Sequence, residues 1–414
     1  MTKPLTRAVL AVVVAVATLS AQTLSSKRLE RIDRYFQDEI DTQRIAGAVA
    51  QVLQDGKPVY EKAFGWADKE AGRKMTTGSI FRIASQSKAL TSVVVLSLME
   101  EGKLGINDPA SRYIPTFAKT AVAVPNGTEF TTVQAKRAIT IKDLLTHTAG
   151  ISYGEERFLA DAYKAKGLGP VTGRGWYTAD KDEPICATME RLGTLPFVSQ
   201  PGEAWVYGYN TDILGCIAEK ASGQALDELI RARITAPLGM KDTMFYLPAS
   251  ERDRLVAVYA SNGSNGGRIF RAPDGPLGQG NYVDGPRKSF AGGAGLLSTA
   301  RDYARFLEMI RRGGEIDGVR ILSPRTVQLM TTNQIGTLHS DTGLGYGLGF
   351  ETTDRYGANG LDEAGAFGWG GAYGSNYRVD PKSHLVLVMM INQMPLGATM
   401  VRDRFPTLVY QALQ

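Results

Sequence analysis

The sequence has little of the residue types that hold metal ions or build disulfide frameworks. Among its 414 residues there are only two cysteines, Cys186 and Cys216, and three histidines, His147, His339 and His384. Metal sites draw on several such ligands at short spacings, and disulfide scaffolds need more cysteines. We therefore expect no metal and no cofactor, and chemistry that ordinary side chains can perform.

The chain also lacks runs of charge of one sign. Its 47 lysines and arginines exceed its 42 aspartates and glutamates by only five, and the basic residues are scattered along the sequence. A nucleic-acid partner would require a basic patch or stripe, so we expect none. Hydrophobic residues make up 43% and charged residues 21%, which excludes a disordered or coiled-coil chain. The length allows two or three structural units, or one large domain that carries an inserted one.

Residues 1–21 have the pattern of a secretory signal peptide. Lys3 and Arg7 precede an apolar run over residues 8–19, and Ala21 is a small residue where cleavage could occur. The run is shorter than the roughly 20 apolar residues that a membrane-spanning helix needs. We expect a cleaved signal, a periplasmic or secreted protein, and no stable membrane association after cleavage. An uncleaved N-terminal anchor is the alternative.

That compartment would bring the two cysteines into an oxidising environment. Cys186 and Cys216 lie 30 positions apart, and this spacing does not decide whether they pair. Cys216 falls inside the apolar helical pattern ILGCIAEKA, where a buried cysteine behaves as a small hydrophobic residue. We therefore favour an unpaired Cys216.

Strand patterns lie near the two ends of the chain, and helical patterns dominate its centre. The runs on either side of Asp55-Gly56 predict an antiparallel hairpin. Residues 87–101 are apolar nearly all round, which predicts a buried helix that ends at Gly102. Further helices are predicted at 27–45 and near 398–412, and strands at 346–351, 375–381 and 384–393.

The early and late strands should share one sheet, because neither set can bury an apolar face unaided. We predict an α/β (α+β) fold in which residues 22–105 and 291–414 form a discontinuous domain, with an antiparallel sheet flanked by helices. Residues 106–290 would form a mainly helical inserted domain, since Gly- and Pro-rich connections separate helical patterns there.

Ser85 and Lys88 are the first candidates for catalysis. They are three positions apart at the start of the predicted buried helix, a spacing that puts both side chains on one helical face. A serine hydroxyl attacks poorly until a neighbour takes its proton, and a lysine can take it when burial lowers the lysine pKa. A solvated helix start is the alternative reading of a motif this short.

A competing candidate is Ser152, in the Gly-x-Ser-x-Gly pattern of residues 150–154. In α/β-hydrolases that serine follows a strand directly, whereas residues 141–150 predict a short helix that ends at Gly150. His339 and His384 also lack the surroundings of a hydrolase triad. We therefore interpret Ser152 as a loop residue.

Two further segments carry candidate functional residues. Tyr207, in PGEAWVYGYN, could shuttle a proton if its hydroxyl lies near a lysine, although a packing role is the alternative. Trp369-Gly370-Gly371-Ala372 precedes a predicted strand, and its glycines would let a substrate lie against the backbone N–H groups. A simple turn is the alternative there.

Taken together and in this order, these motifs resemble the serine β-lactamase and penicillin-binding-protein superfamily, within it the class C β-lactamase-like branch, and most closely the family VIII carboxylesterases. The resemblance covers most of the chain after residue 21. Besides Ser85-x-x-Lys88 it rests on segments 144–151, 201–215, 237–240, 292–306, 346–350 and 369–371.

The resemblance implies an active site in the cleft between the two domains. It implies Ser85 as nucleophile, Lys88 as its proton acceptor and Tyr207 as the residue that relays the proton to the leaving group. The oxyanion hole would be the backbone N–H groups of Ser85 and Ala372. Trp369, Gly370, Gly371, Tyr209 and Asn210 would contact the substrate.

The sequence departs from the β-lactamase pattern at two places. The family's Tyr-x-Asn triplet reads Tyr207-Gly208-Tyr209 here, with Asn210 one position later. Where β-lactamases have Lys-Thr-Gly, this chain has Trp369-Gly370-Gly371, so the edge strand offers an apolar indole in place of a cation. The second departure favours the esterases.

We therefore expect a carboxylic ester hydrolase that forms a serine acyl-enzyme, acts on short-chain small-molecule esters and hydrolyses β-lactams weakly. A β-lactamase or a D-amino-acid peptidase of the same fold is the first alternative. A non-catalytic, penicillin-binding-like sensor is the second.

Overall fold

The computed structural model describes residues 23–168, 180–261, 267–275 and 278–414. The predicted signal peptide lies outside these ranges. The helices are α1 (Ser26–Asp41), α2 (Ser87–Glu100), α3 (Ile141–Leu145), α4 (Ala160–Ala165), α5 (Ile185–Leu192), α6 (Asn210–Ser222), α7 (Leu226–Ile230), α8 (Ala300–Arg311), α9 (Pro324–Met330) and α10 (Val401–Tyr410). None of these helices is long and apolar enough to cross a bilayer.

The strands along the described chain are short in the centre and longer near both ends. They are β1 (Gly47–Gln54), β2 (Lys57–Asp68), β3 (Arg73–Lys74), β4 (Phe81–Arg82), β5 (Ala121–Asn126), β6 (Glu129–Gln134), β7 (Tyr259–Ser261), β8 (Ile269–Arg271), β9 (Leu297–Ser298), β10 (Glu315–Ile316), β11 (Val319–Arg320), β12 (Leu344–Tyr346), β13 (Glu351–Thr353), β14 (Phe367–Gly370), β15 (Gly374–Asp380) and β16 (Leu385–Asn392).

One eight-stranded antiparallel sheet joins the two ends of the chain, in the order β12-β13-β14-β15-β16-β1-β2-β3. The late strand β16 pairs directly with the early strand β1, with Val52 opposite Leu387. The sharing of one sheet by early and late strands is confirmed. The domain limits at residues 105 and 291 remain predictions.

The central strands bury both faces of the sheet, because alternate side chains point to opposite sides. Ala48, Ala50 and Val52 pack in one cluster with α1 and α10. Val49 and Leu53 face the other side, in the larger cluster that includes α2, α6 and α8. Helices on both faces therefore fix the sheet, and α2 packs against α6 and α7.

Helix α2 is buried on every side from Ser87 to Leu98, as its apolar sequence predicts. The hairpin at Asp55-Gly56 and the helices at both ends of the chain are also confirmed. Such a helix is a rigid base for any side chain at its first turn.

Several local predictions were wrong. The predicted strand 346–351 is interrupted, since β12 ends at Tyr346 and β13 begins at Glu351, with Gly349 between them at φ 99°. Helix α3 ends at Leu145, before Gly150, because His147 adopts φ 57° and turns the chain. The central segment also contains two antiparallel strand pairs, β5–β6 and β7–β8, and its mainly helical character remains a prediction.

The prediction of an unpaired Cys216 was also wrong. Cys186 on α5 and Cys216 on α6 form a disulfide with Cα atoms 5.0 Å apart. The two helices pack side by side, so cysteines that are 30 positions apart in sequence come within bonding distance. The bond fastens α5 to the helix that follows Tyr207.

Candidate active site

Ser85 lies in a single turn of 3₁₀-helix, Ala84–Gln86, that leads directly into α2. Ala84, just before it, has φ 43°, a conformation that residues other than glycine rarely adopt. Backbone strain of this kind persists where the surrounding structure enforces it, and it often marks functional sites. The strained turn places Ser85 at the N-terminus of α2, with 7% of its surface exposed.

Lys88 lies one turn further along and points back at Ser85. Its Nζ donates to Ser85 Oγ at 3.3 Å, to Tyr153 Oη at 3.2 Å and to the Gly293 carbonyl at 2.7 Å. Only 1% of the Lys88 surface is exposed. The helical spacing thus brings the two residues together as predicted, and three oxygens of neutral groups hold the amine in place.

Tyr153 is a site residue that sequence reasoning missed. It belongs to the Gly-x-Ser-x-Gly pattern of residues 150–154, which therefore reaches the site through its tyrosine and not through Ser152. Burial, and then the neighbouring Tyr207 and Asp212, raise the pKa of Tyr153 well above its ordinary value. Its hydroxyl accordingly stays protonated and offers Lys88 a neutral oxygen.

The Gly293 carbonyl is the second contact that the sequence did not reveal. The Gly293 N–H donates to Asp212 Oδ1 at 2.9 Å, and Thr91 Oγ1 on α2 donates to the Gly292 carbonyl at 2.9 Å. The loop is therefore fixed from both α6 and α2. A Cβ on Gly293 would lie 2.5 Å from the Asp212 carboxylate, so a side chain at this position requires Asp212 to move.

Tyr207 lies over Lys88 and under Trp369. Lys88 Nζ is 4.7 Å from the centroid of the Tyr207 ring, and Trp369 Nε1 donates to Tyr207 Oη at 3.2 Å. An N–H group aimed at a phenol oxygen stabilises negative charge on that oxygen. This arrangement suits a hydroxyl that passes protons, and Trp369 of β14 orients it.

His147 supports the tyrosine from behind. Its ring centroid is 4.7 Å from that of Tyr207, and Asn210 Nδ2 lies 2.9 Å from His147 Nδ1. Burial, and then the nearby Lys88 and His339, hold the pKa of His147 well below its ordinary range. His147 is therefore a neutral packing and hydrogen-bonding group at neutral pH.

The prediction that Tyr209 and Asn210 contact the substrate was wrong. Both residues are fully buried, and neither lines the cleft beside Ser85. The Asn210 amide also donates to the carbonyls of Ile151 and Val206, at 3.2 Å each. Because α6 begins at Asn210, its side chain turns inward and fixes the loops on either side of it.

A cleft of about 360 Å³ opens beside the nucleophile. Its walls include several predicted site residues, namely Ser85, Tyr207, Trp369, Gly370, Gly371 and Ala372. Gly371 lies against the strained turn, since a Cβ there would be 2.5 Å from the Ile83 carbonyl. The missing side chain lets the β14–β15 turn approach Ser85. The assignment of the oxyanion hole to the N–H groups of Ser85 and Ala372 remains a prediction.

Two cations that the sequence did not place here also line the cleft. Arg402 reaches it from α10, with Nε donating to the Gly374 carbonyl at 3.2 Å and Nη2 to that of Gly371. Arg378 on β15 pairs with Glu351 and Asp362, at 3.6 and 3.3 Å. Strand β14 carries no cation, but these two arginines supply positive charge to the cleft.

The rival nucleophile, Ser152, contacts a glutamate and, among the described residues, no lysine or histidine. Ser152 is buried and its Oγ donates to Glu156 Oε2 at 2.7 Å. The two histidines considered for a triad are engaged elsewhere, His339 with Glu351 at 3.1 Å and His384 with Asp55. Ser152 is a loop residue, as its context predicted. In the described parts of the chain, no group of three His, Cys, Asp or Glu residues is placed to hold a metal ion.

The family is shown by comparison with known proteins. The model of the β-lactamase family matches residues 32–410, and the chain belongs to this family.

Individual relatives and structures are similar over most of the chain. Protein Rv1367c of Mycobacterium tuberculosis is 36% identical over 372 residues, covering 86% of this chain and 88% of that protein. Esterase EstB of Burkholderia gladioli is 30% identical over 374 residues, covering 87% and 90%. The solved structure of EstCE1, described as a hydrolase with promiscuous acyltransferase activity, has a TM-score of 0.77, 26% identity and coverage of 93% and 98%.

Proposed function

We propose that the protein is a carboxylic ester hydrolase that works through an acyl-enzyme on Ser85. The observation that carries the proposal is the buried amine of Lys88, 3.3 Å from the Ser85 hydroxyl at the edge of an open cleft. An activated nucleophile requires a base within hydrogen-bond reach, with the base itself oriented by other groups. Tyr153 and the Gly293 carbonyl orient Lys88 in that way.

The reaction balances with these residues alone. Ser85 Oγ attacks the ester carbonyl carbon and its proton passes to Lys88, while the backbone N–H groups of Ser85 and Ala372 hold the oxyanion. As the bond to the alcohol oxygen breaks, Tyr207 delivers a proton to that oxygen and takes up the proton held by Lys88. Water then attacks the acyl carbonyl carbon and gives one proton to Lys88. The bond to Ser85 Oγ breaks, that oxygen receives the proton from Lys88, and the carboxylic acid leaves.

Short acyl groups fit the size and character of the cleft. A volume of about 360 Å³ lies near the lower end of the roughly 300–1,000 Å³ that small-molecule sites occupy. Trp369 and Tyr207 provide apolar walls next to Ser85. The printed names of EstB and EstCE1, an esterase and a hydrolase, support the same substrate class. The signal-like segment supports a periplasmic or secreted location for this activity.

Mass spectrometry after treatment with a fluorophosphonate tests the nucleophile. We expect one adduct on the peptide that contains Ser85, its loss in Ser85→Ala, and its retention in the matched control Ser152→Ala. p-Nitrophenyl acetate turnover should fall at least about a thousand-fold in Ser85→Ala and be retained in Ser152→Ala. An adduct on the peptide containing Ser152 would overturn the mechanism, and a protein that fails to label would point to a non-catalytic sensor.

One observation favours a second candidate, an amide-directed enzyme such as a β-lactamase or a D-amino-acid peptidase. Arg402 lines the cleft and could receive the carboxylate that such substrates carry near the scissile amide. A comparison of kcat/KM for p-nitrophenyl acetate and for nitrocefin separates the two. A higher value for nitrocefin, lost in Arg402→Gln, would replace the ester assignment with this candidate.

A further inference from the structure

A second cavity of about 660 Å³ lies among the inserted helices and shares no lining residue with the Ser85 cleft. Its volume is within the range of roughly 300–1,000 Å³ that is typical of small-molecule sites. Apolar side chains make up most of its wall, namely Ile230, Met240, Met244, Phe245, Phe290 and Leu296. The cavity is thus large enough and apolar enough for an organic ligand.

One wall of the cavity is a turn of π-helix, Arg231–Thr235, that continues α7. The Ala236 N–H bonds the Arg231 carbonyl at 2.9 Å, five residues back, where an α-helix would bond four residues back. π-turns are rare and occur frequently at functional sites, because they displace side chains from their regular positions. Here the irregular turn contributes Arg231 and Thr235 to the lining.

The charged residues of the lining are mostly cationic. Arg231, Lys241 and Arg287 are exposed at its rim, and Asp227 is the carboxylate among the lining residues. Arg287 has φ 56° and donates to two backbone carbonyls, of Leu247 and Val283, which holds it in place. Burial raises the pKa of Asp227 above its ordinary value. An apolar chamber with a cationic rim matches a ligand with a hydrocarbon chain and an anionic end.

The cavity is connected to the catalytic amine by one short segment, residues 290–296. Both ends of the segment line the cavity, through Phe290 and Leu296, and the Leu296 N–H donates to Ser87 Oγ at 3.0 Å. Its middle supplies the Gly293 carbonyl that accepts from Lys88 Nζ at 2.7 Å. A ligand that displaces Phe290 or Leu296 therefore acts on a segment that holds Lys88.

We propose that this cavity is a second binding site, for an amphipathic carboxylate such as a medium-chain fatty acid, and that its occupant changes the acylation rate of Ser85 through residues 290–296. The binding part does not depend on the ester hydrolase activity. The coupling part rests on the acyl-enzyme proposed above.

Calorimetric titration of octanoate into the Ser85→Ala protein tests the binding. We expect saturable binding that weakens at least ten-fold when Ala236→Trp fills the cavity, and that is unchanged in the control Ala232→Trp, on the same turn but outside the lining. Octanol should bind more weakly than octanoate, and Arg231→Gln with Lys241→Gln should remove that difference. Unsaturable binding, or equal binding in Ala236→Trp, overturns the proposal whether or not Ser85 is catalytic.

The acylation rate of the wild-type protein by a fluorophosphonate tests the coupling. We expect saturating octanoate to change this rate at least three-fold in the wild type and in Ala232→Trp, and to leave it unchanged in Ala236→Trp. An effect of equal size in Ala236→Trp would mean that octanoate competes in the Ser85 cleft. That result, or binding without any change in rate, overturns the coupling.

Discussion

Lys88 receives its position from three oxygens that belong to separate segments of the chain, Ser85 Oγ, Tyr153 Oη and the Gly293 carbonyl. None of these groups carries a formal charge when Tyr153 is protonated. The amine is thereby oriented without an acidic partner among these three contacts. The proton of Ser85 can be accepted only by the Lys88 nitrogen, so a side chain of similar shape without nitrogen should not support catalysis.

Replacement of Lys88 by methionine should lower kcat/KM for p-nitrophenyl acetate by at least about a thousand-fold. Methionine fills the buried space but cannot accept the Ser85 proton. Steady-state kinetics with circular dichroism to verify folding provide the measurement. Lys103→Met, near the exposed end of the same helix, is the control and should retain wild-type turnover. Intact turnover in Lys88→Met would refute the proton transfer.

Removal of the Tyr153 hydroxyl should reduce kcat by about 10- to 100-fold and leave KM nearly unchanged. Tyr153→Phe deletes one of the oxygens that orient Lys88 while the ring contacts remain, so it affects the proton transfer more than binding. The control is Tyr113→Phe, which also loses one phenol hydrogen bond, to Asp108, away from the site. Equal kinetics in the two variants would assign Tyr153 a packing role only.

At the residue scale, the sequence predicted contacts between residues close in the chain but not contacts between residues far apart in it. Ser85 and Lys88 were predictable because three positions on a helix fix their distance. Tyr153 and Gly293 were not, since they are 65 and 205 residues away from Lys88. Asn210 was misplaced because only the start of α6 decides that its side chain turns inward.

Helix α8 carries a carboxyl group with an unusual titration. Thr299 is the N-cap of α8, and its side chain accepts a hydrogen bond from the Asp302 N–H. The Asp302 carboxylate accepts hydrogen bonds from the Asp242 N–H and Thr243 Oγ1, at 2.8 and 3.1 Å. Burial outweighs these bonds and raises its pKa from 3.8 to about 6. Between these two values the unfolded chain loses this proton while the folded chain keeps it, so a rise in pH favours unfolding.

The Asp302 contribution to stability should therefore be complete below pH 4 and lost above pH 6. In urea unfolding at pH 4 to 7, the free energy of unfolding of the wild type relative to Asp302→Asn should fall with rising pH, by at most about 3 kcal/mol. The exposed Asp317→Asn, measured over the same pH range, is the matched control. A difference that is constant with pH would place the Asp302 pKa near its ordinary value.

The disulfide between α5 and α6 should stabilise the fold without entering the chemistry. A cross-link across 30 residues is expected to contribute about 2–4 kcal/mol, because it restricts the unfolded chain. Denaturant unfolding of the double variant Cys186→Ser, Cys216→Ser should show that loss, and kcat/KM should stay within about two-fold. Dithiothreitol should lower the stability of the wild type and have no effect on the variant, and a large loss of turnover would contradict this separation.

At the scale of elements, the sequence predicted those with strong periodicity or a clear turn motif, but not the end of α3 or the pairing of the cysteines. The hairpin at Asp55-Gly56 and helix α2 follow from turn chemistry and from an apolar pattern. Helix α3 ends where it does because His147 adopts φ 57°. Contacts in the buried interior enforce this angle, and no local sequence motif predicts it. The pairing of the cysteines depends on how α5 packs on α6, and sequence spacing carries no such information.

For the whole molecule, the common sheet brings residues 23 and 414 together. The Gln414 N–H donates to the Thr23 carbonyl at 3.0 Å, and the Ser25 N–H to that of Ala412 at 2.8 Å. The sharing of the sheet was predictable, because neither group of strands could bury its faces alone. The order of the strands in the sheet was not predictable, since the sequence does not indicate which strands pair.

A circular permutant should therefore retain the fold and the activity. A short Gly-Ser linker would join Gln414 to Thr23, and new ends would open between Gly127 and Thr128, at the exposed tip of the β5–β6 hairpin. We expect kcat/KM for p-nitrophenyl acetate within about five-fold of the original. A control opened between Val94 and Val95, inside the buried α2, should yield no active protein. Inactivity of both would disprove the adjacency of the ends.

The three contacts of Lys88 make ester turnover a stringent reporter of completed folding. Because the contacts span up to 205 residues, they form only after the segments that carry Tyr153 and Gly293 have docked beside α2. A refolding chain can recover its helix signal and still be inert. Turnover thus reports the docking of these segments, and a substrate that liberates a dye upon hydrolysis would time it directly.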